Sequence, residues 1–348
     1  MPVITPLFDI RIKGSDATYR IPAVKRIKIY SSRDITPDRA LVSLPMMSGL
    51  DLNTFKKDDE VTIQLGHKED SSLKTMFLGY ITKISPNLPV EIECKDVWSR
   101  VMLRKRSSEK NYKSQKFTAI AEDLISDISD IDGIGILTKN KDNSESLVMD
   151  DNFHVDKQSY QRVFEYLTQS SGWDFYVIPG TKTFYFGPGL YRYEHKEQTE
   201  TPILRRGLNI IRSHFKWIEG GDYDKVIVFT ADKEFKTRKK DLTGEYTRSG
   251  VTNPQKVKER FIPGVNKEKL NIRAREEFEK LNNFGFEGRF TTFGQSRVMH
   301  SVKSVIEGVD HRHPEEIVYP EKVVYDFAPY VGFKMEVYLG TDVVAESV

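Results

Sequence analysis

The sequence predicts a mainly β protein with an α+β insert, and three observations lead there. Apolar and polar residues alternate with period two at both ends of the chain, as in Val61, Ile63, Leu65 and in Phe333, Met335, Val337, Leu339. Helical spacing is confined to three stretches, two of them in the middle, at 117–128 and 160–167. Both ends also close alike, with a strand, a polar loop and a strand pair: "VTIQLGH", "MFLGYITKIS", "VEIECKD" in one and "SVKSVIEG", "EKVVYDFAP", "FKMEVYLG" in the other. The 348 residues, 38% hydrophobic and 11% aromatic, suffice for two or three domains. The division expected is a first β-barrel domain at 1–98, an α+β insert at 99–204 and a second, similar β-barrel domain at 205–348, with an intervening helix near 266–284.

In the first segment Phe8, Ile10 and Ile12 alternate, then Ile27 and Ile29, and "GSD", "SSRDITPD" and "HKEDSS" break one short strand from the next. "FLGYITKISPNLPVEIECKD" at 77–96 is a hairpin that turns at Ser85-Pro86-Asn87. Its second strand puts Val90, Ile92 and Cys94 on one face and Glu91, Glu93 and Lys95 on the other. Basic residues then accumulate in "SRVMLRKRSSEKNYKSQK", 99–116, where periodicity stops. A solvated connector accounts for this tract; a phosphate or nucleic-acid contact is the alternative, with Tyr112 its only interleaved aromatic.

Phe117, Ile120, Ala121, Leu124, Ile125 and Ile128 form the apolar stripe of a helix capped by Ser114, and Tyr160, Val163, Phe164 and Leu167 that of a second, stopped by Gly172. "WDFYVIPGTKTFYFGPG" follows as a hairpin around Pro179-Gly180, with Phe175 and Val177 on one strand and Phe184 and Phe186 on the return. Strand pattern resumes in 205–232, clearest at "DKVIVFTA", with "KEFKTRKK" a solvated loop. A third helix carries Leu270, Ala274, Phe278 and Leu281, with Gly285 as its stop. Short strands at "FEGRFTTFG", "VMHSVKSVIEG", "EKVVYDFAP" and "GFKMEVYLG" complete the chain.

Composition narrows the function classes. Lys and Arg total 53 against 51 Asp and Glu, a net charge of +2, so any charge-based function is local. The single cysteine, Cys94, excludes an intrachain disulfide and a cysteine zinc site, points to synthesis in a reducing compartment, and reads as a small buried hydrophobe. "MPVITPLFDIRIKG" is not a signal peptide, and no run of about 18 apolar residues spans a membrane, so the expectation is no membrane-spanning segment.

A search for chemistry finds no nucleophile elbow, phosphate loop or dinucleotide fingerprint, and "FGPG" at 186–189 is a turn without a following helix. Asp127 and Asp130 at a helix end, and Asp150-Asp151 in a polar loop, read as solvated acids. "GVDHRHPEE" gathers Asp310, His311, His313, Glu315 and Glu316 with His300 upstream, but lacks the helical spacing of a zinc motif and reads as polar surface. No catalytic, cofactor-binding or metal-ligating residue is assigned.

The phrases "FLGYITKIS" with "VEIECKDVWSRV", "SYQRVFEYLTQSSGWDFYVIPGTKTFYFGP", "YDKVIVFT", "AREEFEKLNNFGFEGRFTTFG" and "GFKMEVYLG", in that order, resemble the baseplate hub family of phage tails and related contractile injection devices. That family includes the T-even phage hub, the late-control D proteins of temperate phages and the N-terminal part of valine-glycine-repeat spike proteins. The resemblance implies two tube-type barrels per subunit in a homotrimer, hence a pseudo-sixfold ring that adapts a hexameric tail tube or tube-initiator protein to a trimeric spike. It implies no cofactor and no enzyme. It places the protein in the virion tail baseplate after synthesis in the bacterial host cytoplasm, with a tape-measure protein as a further partner. No fused spike or lysozyme-like segment follows Val348, so a separate spike protein is expected. Two other classes stand beside this reading. One is a nucleic-acid or carbohydrate binding module using a barrel face and the 99–116 tract. The other is a metal-assisted hydrolase using His311 and His313.

Overall fold

A computed structural model describes residues 5–45, 54–68, 73–106, 110–113, 115–138, 148–149, 153–155, 158–187, 201–218, 220–230, 243–262, 270–282, 285–309 and 315–340. The first β segment supplies β1 (Pro6–Lys13), β2 (Thr18–Arg20), β3 (Arg26–Ser32), β4 (Arg39–Leu44), β5 (Glu60–His67), β6 (Lys74–Ser85) and β7 (Val90–Asp96). The middle supplies α1 (Trp98–Val101), β8 (Asn111–Tyr112), β9 (Gln115–Lys116), α2 (Phe117–Ser126), β10 (Gly135–Thr138), β11 (Val148–Met149), β12 (Phe153–His154), α3 (Tyr160–Ser171), β13 (Asp174–Val177) and β14 (Thr183–Gly187). The last part supplies β15 (Ile203–Arg205), β16 (Ile210–Ile218), β17 (Lys225–Phe229), β18 (Thr243–Thr247), β19 (Val257–Phe261), α4 (Leu270–Leu281), β20 (Gly285–Phe293), β21 (Ser304–Glu307), β22 (Glu315–Val318), β23 (Lys322–Ala328) and β24 (Gly332–Leu339).

Alternation places one face of each long strand inside. On β7 the inward residues are Val90, Ile92 and Cys94, and on β24 they are Phe333, Met335, Val337 and Leu339. Burial pushes the Cys94 thiol far up, which fits its reading as a small hydrophobe.

The two β segments form one structure where the sequence leads to two. Eleven strands make a single antiparallel sheet in the order β16-β20-β24-β23-β3-β4-β7-β6-β5-β1-β2. The seam is β3 against β23, with Lys28 opposite Asp326 and Tyr30 opposite Val324. Each segment thus satisfies an edge strand with the other, and no described pairing closes either half into a barrel. The halves also differ in strand order: seven strands come from the first, while the second gives four and covers them with the separate β15-β21-β22 sheet. The sheet nevertheless curls until its far side meets the second half through side chains. Phe8 of β1 lies edge-on to Phe327 of β23 at 5.3 Å, and His67 Nε2 is 2.7 Å from the Gly294 carbonyl. One apolar core runs through both halves, from Ile10 and Ile63 to Val323 and Val337.

The α+β lobe has its own core. α2 and α3 pack their stripes against the β10-β14-β13 sheet around Trp98, whose ring lies 4.9 Å from Phe175, 5.8 Å from Phe164 and 5.7 Å from Phe184. α3 starts at Ser159, whose Oγ accepts the Arg162 N–H, and ends at Gly172 with φ of 69° as expected. α2 departs from expectation: its N-cap is Lys116 with no side-chain cap, while Ser114 lies outside the described residues.

α4 belongs to a third, smaller core rather than to the large sheet. Leu270 and Ala274 are buried against Val226 and Val228 of a β18-β17-β19 sheet. The helix ends at Leu281, and Gly285, the expected stop, is instead the first residue of β20. Arg273 of α4 is 2% exposed and reaches the end of α3, so that a Cβ on Gly172 would lie 2.1 Å from its Nη1.

Candidate assembly surfaces and the lobe joint

The residues singled out for chemistry are scattered. Asp310, His311, His313, Asp150 and Asp151 lie outside the described residues; Glu315 and Glu316 contribute backbone to β22, opposite Glu307 and Ile306. His300 is 1% exposed, with Nδ1 at 3.2 Å from Ser301 Oγ and its ring edge-on to Tyr176 at 5.1 Å. It is packed where the second β half meets the lobe. Among the described residues no three His, Cys, Asp or Glu side chains group as metal ligands.

Four cations of the basic tract, Arg100, Arg104, Arg106 and Lys110, are engaged internally. Arg104 holds the Asp130 carboxylate with both terminal nitrogens, Nη2 at 2.9 Å. Arg106 Nη1 lies 2.5 Å and Lys110 Nζ 2.6 Å from the Asp123 carboxylate, which also accepts the Tyr112 hydroxyl. Partial burial pushes Asp123 up, but these three donors outweigh it and hold the carboxyl down at about 2. Arg100 spreads over the Tyr80 ring at 4.6 Å. The acids expected to be solvated are therefore partners of the tract: Asp130 takes Arg104, and Asp127 lies 3.9 Å from Arg106 while accepting the Tyr160 hydroxyl at 3.0 Å.

A buried acid pair joins the sheet to the lobe. Asp38, before β4, and Asp96, the last residue of β7, are 8% and 3% exposed. Asp38 accepts the Ser31 hydroxyl at 2.5 Å and the Ser32 N–H at 2.9 Å; Asp96 accepts the backbone N–H groups of Asp38 at 2.9 Å and Trp98 at 3.0 Å. Burial raises both carboxyls, Asp96 to about 7, and the Asp96 charge pushes Asp38 up further. The Asp96 side chain thereby holds the Trp98 backbone, and the Trp98 Nε1–H donates to the Ile35 carbonyl at 2.6 Å. Arg33, 3.6 Å from Asp174 and 3.5 Å from Glu321, and Lys182, 2.5 Å from Glu60, complete the joint. Sequence reasoning passed over Asp38 and Asp96, although a signal was there. Both continue the inward phase of their strands, Asp38 with Ala40 and Val42, Asp96 with Ile92 and Cys94.

What remains open is sheet. Among the described residues β16 pairs with no strand but β20, apart from a single bridge from Ile210 to Arg206, and β2 only with β1, so one edge lies on each side. β16 carries Arg212, His214 and Lys216 and an irregularity between Ile210 and Arg212, features that guard an edge against indiscriminate pairing. At one end of the sheet the β23–β24 turn presents Tyr330, 100% exposed, and Val331. The β6–β7 turn presents Leu88 at that same end. No described helix is long and apolar enough to cross a membrane.

No protein-family model and no curated protein matches the chain. Solved structures do. The tail protein from Neisseria meningitidis MC58 superposes with a TM-score of 0.62 at 13% identity, over 96% of each chain. The 43 kDa tail protein of prophage MuSo2 from Shewanella oneidensis gives 0.62 at 12% identity, over 96% of this chain and 98% of the other. An Escherichia coli protein described as a component of the type VI secretion system, structurally similar to the T4 bacteriophage tail proteins gp27 and gp5, gives 0.58 at 11% identity, over 97% of this chain and 79% of the other. The fold is that of phage tail proteins along nearly the whole chain, as the resemblance to the baseplate hub family implies.

Proposed function

We propose that the chain is a structural baseplate hub protein of a phage tail or related contractile injection device, a homotrimeric ring adapting a hexameric tail tube to a trimeric spike. The observation that carries this reading is the end-to-end likeness of fold to tail proteins, which takes in the sheet, the lobe and the α4 unit together. In the reading, residues 1–98 and 205–348 are the two ring-forming halves, and residues 99–204 form an outer lobe. Its partners are two further copies of itself, a separate spike protein, the tube or tube-initiator protein and a tape-measure protein. It works without catalysis, in the virion tail baseplate, after assembly in the host cytoplasm.

Two features support the reading. The sheet has an open edge on each side, which suits closure with neighbouring copies, and the guarded β16 edge suits a selective partner. The rival module built on the 99–116 tract is disfavoured, because Arg104, Arg106 and Lys110 already hold carboxylates. Light scattering on the purified chain at micromolar concentration tests the proposal: a mass of three chains is expected, and a monomer counts against the ring.

A further inference from the structure

The face of the large sheet turned away from the core carries a charge of its own. Across β16, β20, β24, β23 and β3 the outward residues run in register: Lys28, Asp326, Lys334 and Phe293 in one row; Tyr30, Val324, Glu336, Thr291 and Arg212 in the next; Ser32, Lys322, Tyr338, Arg289 and His214 in a third. Arg26, Lys216 and Glu287 extend the same face. It therefore holds seven cations, Arg26, Lys28, Arg212, Lys216, Arg289, Lys322 and Lys334, against three carboxylates, Glu287, Asp326 and Glu336. The whole chain carries only +2, so this face concentrates the positive charge.

Each carboxylate has a cation at hand. Arg26 holds Asp326 at 2.8 and 2.5 Å, Arg289 holds Glu336 at 3.1 Å, and Lys216 stands opposite Glu287. Lys28 and Lys334 both flank the Asp326 that Arg26 already holds, and no ion pair engages Lys28, Lys322, Lys334 or Arg212 among the described residues. Two of them sit beside aromatic rings, Lys28 Nζ at 5.2 Å from the Tyr30 centroid and Lys322 Nζ at 5.3 Å from that of Tyr338.

We infer that this face binds single-stranded nucleic acid through its phosphates, at Lys28, Lys322, Lys334 and Arg212, with Tyr30 and Tyr338 as stacking surfaces. Cations interleaved with rings on an open antiparallel sheet meet both halves of a nucleotide strand, the charged backbone and the flat base. A lysine that moves to a phosphate uncovers the ring beneath it. An acidic polypeptide would use the cations and leave the rings idle. The inference is independent of oligomeric state, since every residue named lies in one chain.

The test is fluorescence anisotropy of a labelled oligothymidine of about thirty nucleotides. Each phosphate contact to a single strand contributes about 0.7 to the salt slope. Four contacts weaken binding about 50-fold between roughly 50 and 200 mM salt. The Lys28→Gln, Lys322→Gln, Lys334→Gln triple variant keeps one contact and weakens only about 3-fold over the same range. Lys334→Gln alone serves if the triple variant melts earlier than the wild type, and it lowers the slope by about 0.7. Lys113→Gln with Lys116→Gln, on the basic tract, leaves binding unchanged. Absence of binding at low salt, or an undiminished slope in the sheet variants, overturns the inference. So does binding of poly-glutamate in place of the oligonucleotide, which would assign the face to an acidic polypeptide.

Discussion

Replacing Asp96 by Asn sets two opposing energies against each other. Both oxygens of the buried Asp96 carboxyl accept backbone N–H groups, from Asp38 and Trp98. An Asn turned either way points its NH2 at one of those donors, losing a hydrogen bond and orphaning a buried N–H, at a cost of about 1–3 kcal/mol at every pH. Against this stands the proton. The carboxyl is raised from 3.8 to about 7, so the folded chain still holds a proton that the unfolded chain has released across that window. Wild-type stability from this group is present below the unfolded value and is lost as pH rises to 7, by about 4 kcal/mol. The Asn variant has no such loss. Asp96→Asn is therefore expected to be less stable than wild type by about 1–3 kcal/mol near pH 4 and more stable by about 1–3 kcal/mol at pH 8, the two curves crossing between. Asp38→Asn repeats the comparison. Its carbonyl keeps the Ser32 N–H while its NH2 donates to the Ser31 oxygen, reversing that bond and taking the acceptor from the buried Ser31 O–H, so it too is expected to lose stability at pH 4 and gain relative to wild type as pH rises to 8. Urea unfolding followed by tryptophan fluorescence at several pH values measures both. A difference between Asp96→Asn and wild type that stays constant from pH 4 to 8 would refute the reasoning.

Other expectations follow from the lobe and its joints. Trp98→Ala opens a cavity among Phe164, Phe175 and Phe184 and is expected to cost about 3–5 kcal/mol, with near-ultraviolet dichroism reporting a loosened lobe. Gly172→Ala strains a left-handed residue and drives its Cβ into the Arg273 guanidinium; a loss of at least about 1 kcal/mol in denaturant unfolding is expected, and a neutral result would contradict the close approach. Asp123→Asn leaves Arg106 and Lys110 without their carboxylate and should destabilise at pH 7, with the difference from wild type shrinking as pH falls toward 2, because the wild-type carboxyl then protonates as well. His311→Ala with His313→Ala is expected to change stability by about 0.5 kcal/mol or less, and stoichiometric zinc in the wild type, lost in this variant, would reverse that reading.

Local structure was legible because its causes are local. Tyr160, Val163, Phe164 and Leu167 share a helical face and Gly172 alone suits the left-handed stop, so α3 could be read residue by residue. Val90, Ile92 and Cys94 likewise fix the inward face of β7. Alternation says which face of a strand is buried but not which strand lies beside it. The β3–β23 seam joins Lys28 to Asp326 across almost the whole chain, and two barrels and one continuous sheet share the same alternation. Nor does a run of Lys and Arg reveal that the fold brings Asp123, Asp127 and Asp130 against it. The α4 unit was hidden for a related reason: Leu270 and Ala274 announce an apolar stripe, and only the fold shows that Val226 and Val228 receive it.

Electron microscopy of the purified protein tests the hub reading most directly. Class averages are expected to show a ring with threefold symmetry around a central channel, with two β arcs from each chain lining it and the α+β lobes projecting outward. Particles of a single chain, or a compact oligomer without a channel, would contradict the account.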